Sequence, residues 1–276
     1  MILNGGDVMI PFDLHTHCTL SFDGLSSAED MVKRAAELGL AYYALTDHVD
    51  LGEHADPDFD LDATVSGAAE IIPALQKKYA GKLTLLYGVE LGQITQDGET
   101  AGRLIAENGY DFVRGSLHNI RGMDDFYFLD YTKLDVKALL GAYFEELLEL
   151  AQTGGFDVMA HITYPLRYIV GEYGIDVDMH SYSGIIDDIL TALIRGGRGI
   201  EINTSGLRQK LGKTMPDESI VKRYRELGGE ILTIGSDAHC TDDLGKGIAE
   251  GIKIAKAAGF DNIAVFGKRI PYFVKI

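Results

Sequence analysis

The sequence predicts an α/β domain in which a mainly parallel sheet closes, or nearly closes, into a barrel of seven strand–helix units. Short apolar runs alternate along the chain with longer helical patterns, and glycine stands near the end of most of these helices. Alternation of this kind is typical of a parallel sheet covered by helices. With 276 residues, 46% of them hydrophobic, the chain can bury the core of one such domain, which we expect to span residues 1–276.

Seven short runs, each bounded by turns or charged residues, are the predicted strands. They cover residues 9–14, 41–46, 83–89, 112–116, 156–160, 199–202 and 231–235. An open doubly wound sheet is the alternative arrangement for such units. The glycine-rich nucleotide-binding turn that usually follows the first strand of that fold is missing, however, because the chain has His15-Thr16-His17-Cys18 at this place.

Helical patterns fill the intervals between these strands. They cover residues 27–38, 62–79, 137–152, 181–194, 217–227 and 246–258. The first helix has the clearest boundaries, because Ser26 and Glu29 have the spacing of a capping box and Gly39 suits the left-handed position after the last turn.

Charge and composition exclude several classes of protein. Asp and Glu number 42 against 25 Lys and Arg, a formal net charge of −17, so a nucleic-acid polymer is not an expected partner. The longest stretch without a charged residue has nine residues, far fewer than the roughly 20 apolar residues of a membrane-spanning helix. The first ten residues lack the pattern of a secretion signal, which predicts a cytoplasmic protein. In that compartment Cys18 and Cys240 are expected to be free thiols.

Metal-ligating residue types stand at the carboxyl ends of six of the seven predicted strands, where α/β barrels assemble their active sites. They are His15, His17, Asp47, His48, Glu90, His118, His161, Asp237 and His239, and they include six of the eight histidines. Their nitrogen and oxygen atoms suit Zn²⁺, Fe²⁺ or Mn²⁺. So many ligands exceed the needs of one ion, so we expect a site of two or three ions with a bridging carboxylate.

At any single position, a structural role is an alternative to metal ligation. A lone histidine or aspartate at a strand end is more often a hydrogen-bonded structural group than a metal ligand. Asp13 and Asp47 could orient neighbouring imidazoles, but they could equally make turn or strand-end hydrogen bonds. His54 and His180 stand outside the pattern and are expected to be solvated loop residues.

The ordered motifs HTH, TDH, a lone Glu, GSLH, AH and GSDAH resemble the PHP (polymerase and histidinol phosphatase) superfamily. The segments DFVRGSLHNIRG, AHITYPLRY and EINTSGLR resemble its histidinol-phosphatase branch. The resemblance covers most of the chain. It implies a distorted (β/α)7 barrel, similar to a TIM barrel, with three metal ions at the carboxyl ends of the strands.

The resemblance also implies which residues hold each ion. The implied ligands are His15, His17, Glu90 and Asp237 for the first ion, Glu90, His118 and His161 for the second, and His48, His239 and Asp23 for the third. Some relatives carry a histidine at the position of Asp23, which leaves the ligand type and metal preference at the third ion open.

These residues suggest a phosphatase mechanism. Hydroxide generated from metal-bound water near neutral pH would attack phosphorus, while Arg167 and Arg208, in the loops after the fifth and sixth strands, would hold the phosphoryl oxygens. A metal-bound water, Asp237 or His239 would protonate the leaving alcohol.

The branch resemblance implies that the substrate is a small phosphate ester, L-histidinol phosphate, which is hydrolysed to L-histidinol and phosphate in histidine biosynthesis. One alternative is a phosphoesterase of the same superfamily that acts on nucleotides or other small phosphate esters. A further alternative, of another class, is a non-catalytic metal-binding module of the kind that PHP domains form within polymerases.

Overall fold

The computed structural model describes residues 11–52 and 60–276, which form a mainly parallel sheet with helices around it. Residues 9 and 10 of the first predicted strand, and His54, lie outside the described residues. The strands are β1 (Phe12–Asp13), β2 (Tyr42–Leu45), β3 (His48–Asp50), β4 (Thr84–Gly92), β5 (Phe112–Ser116), β6 (Val158–Met159), β7 (Gly199–Asn203), β8 (Leu232–Gly235), β9 (Asn262–Gly267) and β10 (Ile270–Lys275).

Strands β1, β2, β4, β5, β6, β7 and β8 are neighbours in that order, and every pair is parallel. The two edges of this sheet also meet. Leu14 N donates to Ile234 O at 3.3 Å, and Asp237 N donates to His15 O at 2.8 Å. These bonds nearly close the sheet into a barrel, which confirms the predicted fold class.

The helices are α1 (Ala28–Glu37), α2 (Leu61–Lys78), α3 (Gly98–Glu107), α4 (Val136–Thr153), α5 (Ser183–Arg195), α6 (Glu218–Glu226) and α7 (Ile248–Ala257). All six predicted helices are present, with ends shifted by one or two residues. The predicted cap of α1 is wrong: Ser27 is the cap and its hydroxyl accepts from Asp30 N at 3.1 Å. Ser26 Oγ instead accepts from Thr241 N, because the loop after β8 lies against this turn.

Three elements were not predicted from the sequence. Strand β3 extends the ladder beside β4, so Glu90 lies inside a strand that continues to Gly92 rather than at its end. Helix α3 starts from Asp97, whose side chain accepts from Thr100 N at 3.0 Å. The hairpin β9–β10 is antiparallel and forms a separate two-stranded sheet, which the strand–helix alternation does not predict.

This hairpin lies at the amino ends of the central strands. Phe266 of β9 stacks on Phe112 of β5, with ring centroids 4.7 Å apart. Arg269 in the hairpin turn binds the carboxylate of Asp157, directly before β6, at 2.8 Å. The hairpin therefore packs against one end of the barrel, and the carboxyl ends of the strands form the opposite end. Within the described ranges, none of the helices combines the length and apolar character needed to cross a bilayer.

Candidate metal centre

The carboxyl ends of the strands bring all nine residues implied as ligands to one place. Four groups of three side chains each have their ligand atoms within 4.8 Å of one another, and the groups share members. They are His17, His48 and His239; His15, His17 and Asp237; His15, Glu90 and His161; and His48, Glu90 and His118. Parallel strands place their carboxyl ends at the same edge, which is why residues so distant in sequence converge.

The group of His15, His17 and Asp237 lies beside Glu90, so the Nε2 atoms of both histidines face two carboxylates. His17 Nε2 lies 3.4 Å from both Glu90 Oε2 and Asp237 Oδ1, and His15 Nε2 lies 3.1 Å from Glu90 Oε2. Two ligands of a tetrahedral ion, each about 2.1 Å from it, are about 3.4 Å apart. The spacing therefore suits a common ion.

Glu90 divides its two carboxylate oxygens between neighbouring groups. Oε2 faces His15 and His17, whereas Oε1 lies 2.8 Å from His161 Nε2 and 3.4 Å from His118 Nε2. The side chain of Glu90 is fully buried, so its negative charge is compensated only within this cluster. This is the geometry of a bridging carboxylate.

Asp23 meets the remaining two histidines. Its Oδ2 lies 3.0 Å from His239 Nε2 and its Oδ1 lies 3.8 Å from His48 Nε2. Both distances suit side chains that share an ion, although Asp23 is the most exposed member of the cluster, with 41% of its side chain accessible. His48 also presents Nδ1 to Glu90 Oε2 at 3.2 Å, so its ring lies between two groups.

Unpartnered nitrogen atoms test whether this cluster fits metal ions. His17 Nε2, His48 Nδ1 and His239 Nε2 are buried and form no hydrogen bond of acceptable geometry, although carboxylate oxygens lie 3.0 to 3.4 Å from them. A buried polar atom without a partner is costly and rare in folded proteins. All three atoms point into the cluster, where a cation would accept their lone pairs, so the residues fit a metal centre.

The electrostatic environment favours the protonation states that bind metal in several side chains of the cluster. Burial raises the pKa of Glu90, but the charges of His15 and His118 outweigh it and hold that pKa well below its ordinary value. Burial lowers the pKa of His17, and repulsion from neighbouring histidines lowers it further. An ionised carboxylate and a neutral imidazole are the forms that bind metal. His15 differs: burial acts to lower its pKa, but the charge of Glu201 outweighs this effect and raises the pKa to about 10, so an ion that binds at Nε2 would displace a proton from this ring.

Comparison with known proteins gives the family. The family model described as PHP domain matches residues 13–205, which is most of the chain and includes seven of the nine implied ligands. The chain belongs to the PHP domain family. It is also 30% identical to proteins named probable histidinol-phosphatase from Thermotoga maritima, over 94% of this chain and 97% of the relative, and from Clostridium acetobutylicum, over 94% and 98%.

The fold of this PHP domain has a solved counterpart. The crystal structure of histidinol phosphate phosphatase from Lactococcus lactis, complexed with zinc, L-histidinol and phosphate, superimposes with a TM-score of 0.83. The match covers 95% of this chain and 98% of the other, with 23% sequence identity. It confirms the distorted barrel.

Further side chains of the PHP domain contact the second ring nitrogen of three of these histidines. His15 Nδ1 lies 2.8 Å from Glu201 Oε1, His118 Nδ1 lies 3.1 Å from both oxygens of Asp50, and His17 Nδ1 lies 3.2 Å from Ser21 Oγ. Contacts of this kind set which nitrogen faces the metal. Glu201 and Asp50 were not predicted from the sequence as site residues. The available signal for Glu201 was a charged residue between two isoleucines in a strand expected to be buried.

Neither Asp13 nor Asp47 forms a hydrogen bond directly with an imidazole; Asp47 reaches His17 only through Ser21 Oγ. Asp13 accepts from Ser236 N at 2.9 Å and from Gly245 N at 2.8 Å. Asp47 accepts from Cys18 N at 2.7 Å and from Ser21 Oγ at 2.8 Å. Both aspartates thus form turn and strand-end hydrogen bonds, which is one of the two roles expected from the sequence.

Arg167 and Arg208 reach the metal face as expected. They line a cavity of about 470 Å³ together with Gln209, Asp237, His239, Asp243 and Lys246. Arg167 Nη2 donates to Asp237 Oδ2 at 2.9 Å and to Ser205 Oγ at 2.7 Å. Arg208 donates to the carbonyl oxygens of Ser236 and Asp237 at 2.6 and 2.8 Å. Two guanidinium groups thus stand beside the histidine and carboxylate cluster, in a space open to a small anion.

Proposed function

We propose that this chain is a metal-dependent phosphomonoesterase that hydrolyses L-histidinol phosphate to L-histidinol and phosphate. The observation that carries the proposal is the contact between the cluster around Glu90 and a cavity lined by Arg167 and Arg208. Cations and guanidinium groups on one cavity suit a phosphate ester. The substrate is supported by the relatives named histidinol-phosphatase.

The cluster would hold two to three divalent transition-metal ions, of Zn, Fe or Mn. We assign to these ions the ligand sets that the resemblance implies: His15, His17, Glu90 and Asp237; Glu90, His118 and His161; and His48, His239 and Asp23. The short distances between their ligand atoms support this assignment. When bound, such ions would supply a lowered pKa for water and neutralisation of phosphoryl charge.

The arginines would hold the phosphoryl group. Arg167 is already oriented by its bonds to Asp237 and Ser205, so little side-chain freedom remains to be lost when an anion enters. Arg208 is held by two backbone carbonyls and by Asp243, 3.3 Å away. Charge-assisted hydrogen bonds from both groups would become stronger as negative charge develops on the phosphoryl oxygens.

Protonation of the leaving alcohol falls to a group at the cavity. Asp237 and His239 both line it, and 24% of the His239 side chain is accessible. His239 Nδ1 lies 3.0 Å from the backbone oxygen of Asp237, which fixes the ring orientation. Both residues are therefore placed where a departing oxygen could receive a proton.

The charge of the chain restricts the size of the substrate. A net charge of −17 repels a polymeric polyanion, whereas a small phosphate ester meets only the local positive groups of the cavity. A small-molecule phosphatase is the reading that satisfies both observations.

The test is phosphate release by protein reconstituted with Mn²⁺, Fe²⁺ or Zn²⁺. We expect a preference for L-histidinol phosphate over a panel of nucleotides and sugar phosphates. His161→Ala should abolish turnover, and His180→Ala, at an exposed histidine outside the cluster, is the matched control. Turnover of several esters with similar kcat/KM would replace the substrate assignment with a broader phosphoesterase. Full activity of His161→Ala would refute the metal assignment.

A further inference from the structure

Two fully buried, oppositely charged side chains lie directly behind the metal centre. Glu201 of β7 places Oε1 2.8 Å from His15 Nδ1 and also 2.8 Å from Arg114 Nη1 of β5. The side chains of His15, Glu201 and Arg114 all have 0% accessible surface. Burying an ion pair costs desolvation energy that its attraction often fails to offset, so such a pair is weak evidence of a stabilising role.

We propose that Glu201 is a positioning residue that holds His15 with Nε2 facing the metal cluster, and that Arg114 neutralises Glu201 so that this hold adds no negative charge to the site. The inference rests on the metal centre of the proposed function. It assigns roles to two residues that contact neither the ions nor the cavity.

The contact with Glu201 selects one tautomer of His15. A neutral imidazole has one N–H and one acceptor nitrogen. Donation from Nδ1 to Glu201 leaves the Nε2 lone pair directed at Glu90 and Asp237, 3.1 and 3.8 Å away. Without an acceptor at Nδ1, the proton could move to Nε2 and block ligation, or the ring could turn.

Glu201 is tied to other parts of the cluster as well. Its Oε2 accepts from the backbone N of His161 at 3.2 Å and from Asn203 Nδ2 at 3.4 Å. Asn203 Nδ2 also lies 3.3 Å from Asp237 Oδ2. One carboxylate thus links the ring of His15 to the backbone of one further implied ligand and, through Asn203, to the side chain of another.

Packing leaves this carboxylate one place to lie. Gly235 at the end of β8 faces the His15–Glu201 contact, and a Cβ built on it would lie 2.2 Å from His15 Cβ and 2.8 Å from Glu201 Oε1. Those distances are shorter than atoms tolerate, so any larger residue would displace the pair. The absence of a side chain at Gly235 is what lets Glu201 approach the ring.

Arg114 explains how an additional carboxylate is tolerated. The centre already contains Glu90, Asp237 and Asp23, and its substrate is a phosphate anion. An uncompensated charge on Glu201 would weaken the attraction for that anion. Arg114 is held in place by Leu14 O, 2.5 Å from Nη2, and by the ring of Phe112, 4.9 Å from Cζ, so its charge stays beside Glu201.

Metal affinity tests this inference, because it can be measured without substrate. We would compare Glu201→Met, which removes the acceptor facing His15 Nδ1, with the double variant Arg114→Met/Glu201→Met, which leaves no unpaired buried cation. Glu201→Gln, which keeps the shape and an acceptor oxygen but loses the charge, is the conservative variant. Glu146→Gln is the matched control, since Glu146 is also buried and accepts from Arg121 N at 2.9 Å and Gln96 Nε2 at 3.1 Å, away from the cluster. Co²⁺ and Zn²⁺ affinities would be measured by competition with a chelator, and the absorption spectrum of the Co²⁺-loaded protein recorded.

We expect Glu201→Met and the double variant to lose about 10- to 100-fold in affinity for one ion, with a changed Co²⁺ spectrum, and Glu201→Gln to lose less, while Glu146→Gln matches the wild type. If Glu201→Met alone fails to fold by circular dichroism, the double variant decides. Wild-type affinity and spectrum in a folded Arg114→Met/Glu201→Met variant would overturn the inference.

The outcome is separable from that of the proposed function. A wild-type chain that binds ions tightly yet does not hydrolyse L-histidinol phosphate would refute the substrate and leave the role of Glu201 standing. Normal hydrolysis by wild type together with unchanged metal affinity in the variants would refute only the role of Glu201. A wild-type chain that binds no ion would refute both.

Discussion

Replacing Arg167 by methionine isolates the contribution of one guanidinium to phosphate binding. Arg167 is the side chain that links the cavity to the metal cluster, through its 2.9 Å bond to Asp237 Oδ2. Methionine keeps an unbranched, flexible side chain and has no charge. Asp237 keeps a second partner in Asn203 Nδ2, at 3.3 Å, so we expect the variant to fold and to retain its ions.

The expected loss follows from the bond that disappears. A hydrogen bond to a charged group contributes about 1.5 to 3 kcal/mol. Since about 1.4 kcal/mol corresponds to a factor of ten in rate, kcat/KM for L-histidinol phosphate should fall roughly 10- to 150-fold. The kcat/KM of Arg167→Lys should fall less, because lysine keeps the positive charge but lacks the two-donor geometry of the guanidinium group.

Steady-state phosphate release, with metal content determined on the same preparations, is the assay. Arg223→Met is the control, because Arg223 pairs with Asp187 at 2.7 Å on the surface, away from the cavity residues. An Arg167→Met variant that keeps its ions and stays within threefold of wild-type kcat/KM would refute the assignment of Arg167 to the phosphoryl group. A parallel loss in Arg223→Met would show that the effect is not specific to the cavity.

Three further outcomes are expected. Chelation should abolish phosphate release and lower Tm in a thermal melt, because the buried carboxylates around Glu90 lose the cations that neutralise them. Adding Mn²⁺, Fe²⁺ or Zn²⁺ should restore phosphate release, and unchanged turnover after chelation would contradict the metal centre. Phe266→Ala should lower the free energy of unfolding by about 3 to 5 kcal/mol in urea titrations, because the ring is buried against Phe112, whereas Phe273→Ala, at an exposed ring, should cost far less. Asp97→Ala should cost about 1 kcal/mol at neutral pH through loss of the cap of α3. Hydrogen bonds from Thr100 lower the pKa of Asp97 below 3.8, so the ionised cap stabilises the fold above that pH. The difference in free energy of unfolding between variant and wild type should therefore shrink as pH falls through the lowered pKa. A difference that is constant with pH would contradict the role of the carboxylate.

The parallel barrel and the edge at which the cluster gathers were predictable from the sequence for a local reason. Strand–helix alternation specifies parallel strands, and parallel strands carry the residues after each of them to one edge. His15, His118 and His161 could therefore be assigned to one site although more than a hundred positions separate the first from the last. Recognition of the ordered motifs supplied the pairing of ligands with ions, which spacing alone does not contain.

Some features depend on which chain segments come to lie side by side. The cap of α1 moved from Ser26 to Ser27 because the loop after β8 lies against Ser26. The hairpin β9–β10 departs from the strand–helix alternation, and its packing on Phe112 depends on the finished barrel.

The sequence by itself determined the residue types of the centre, their order and the edge of the sheet at which they gather, because these follow from the period and direction of the strands. Only the tertiary structure decided which side chains contact the second ring nitrogen of the histidines. Glu201 lies 186 positions from His15, and Asp50 lies 68 positions from His118. A carboxylate inside a strand has the same local pattern whether it faces a ring, a guanidinium or solvent. Barrel closure and strand register, which set side-chain neighbours over such separations, place Glu201 against His15 and Arg114.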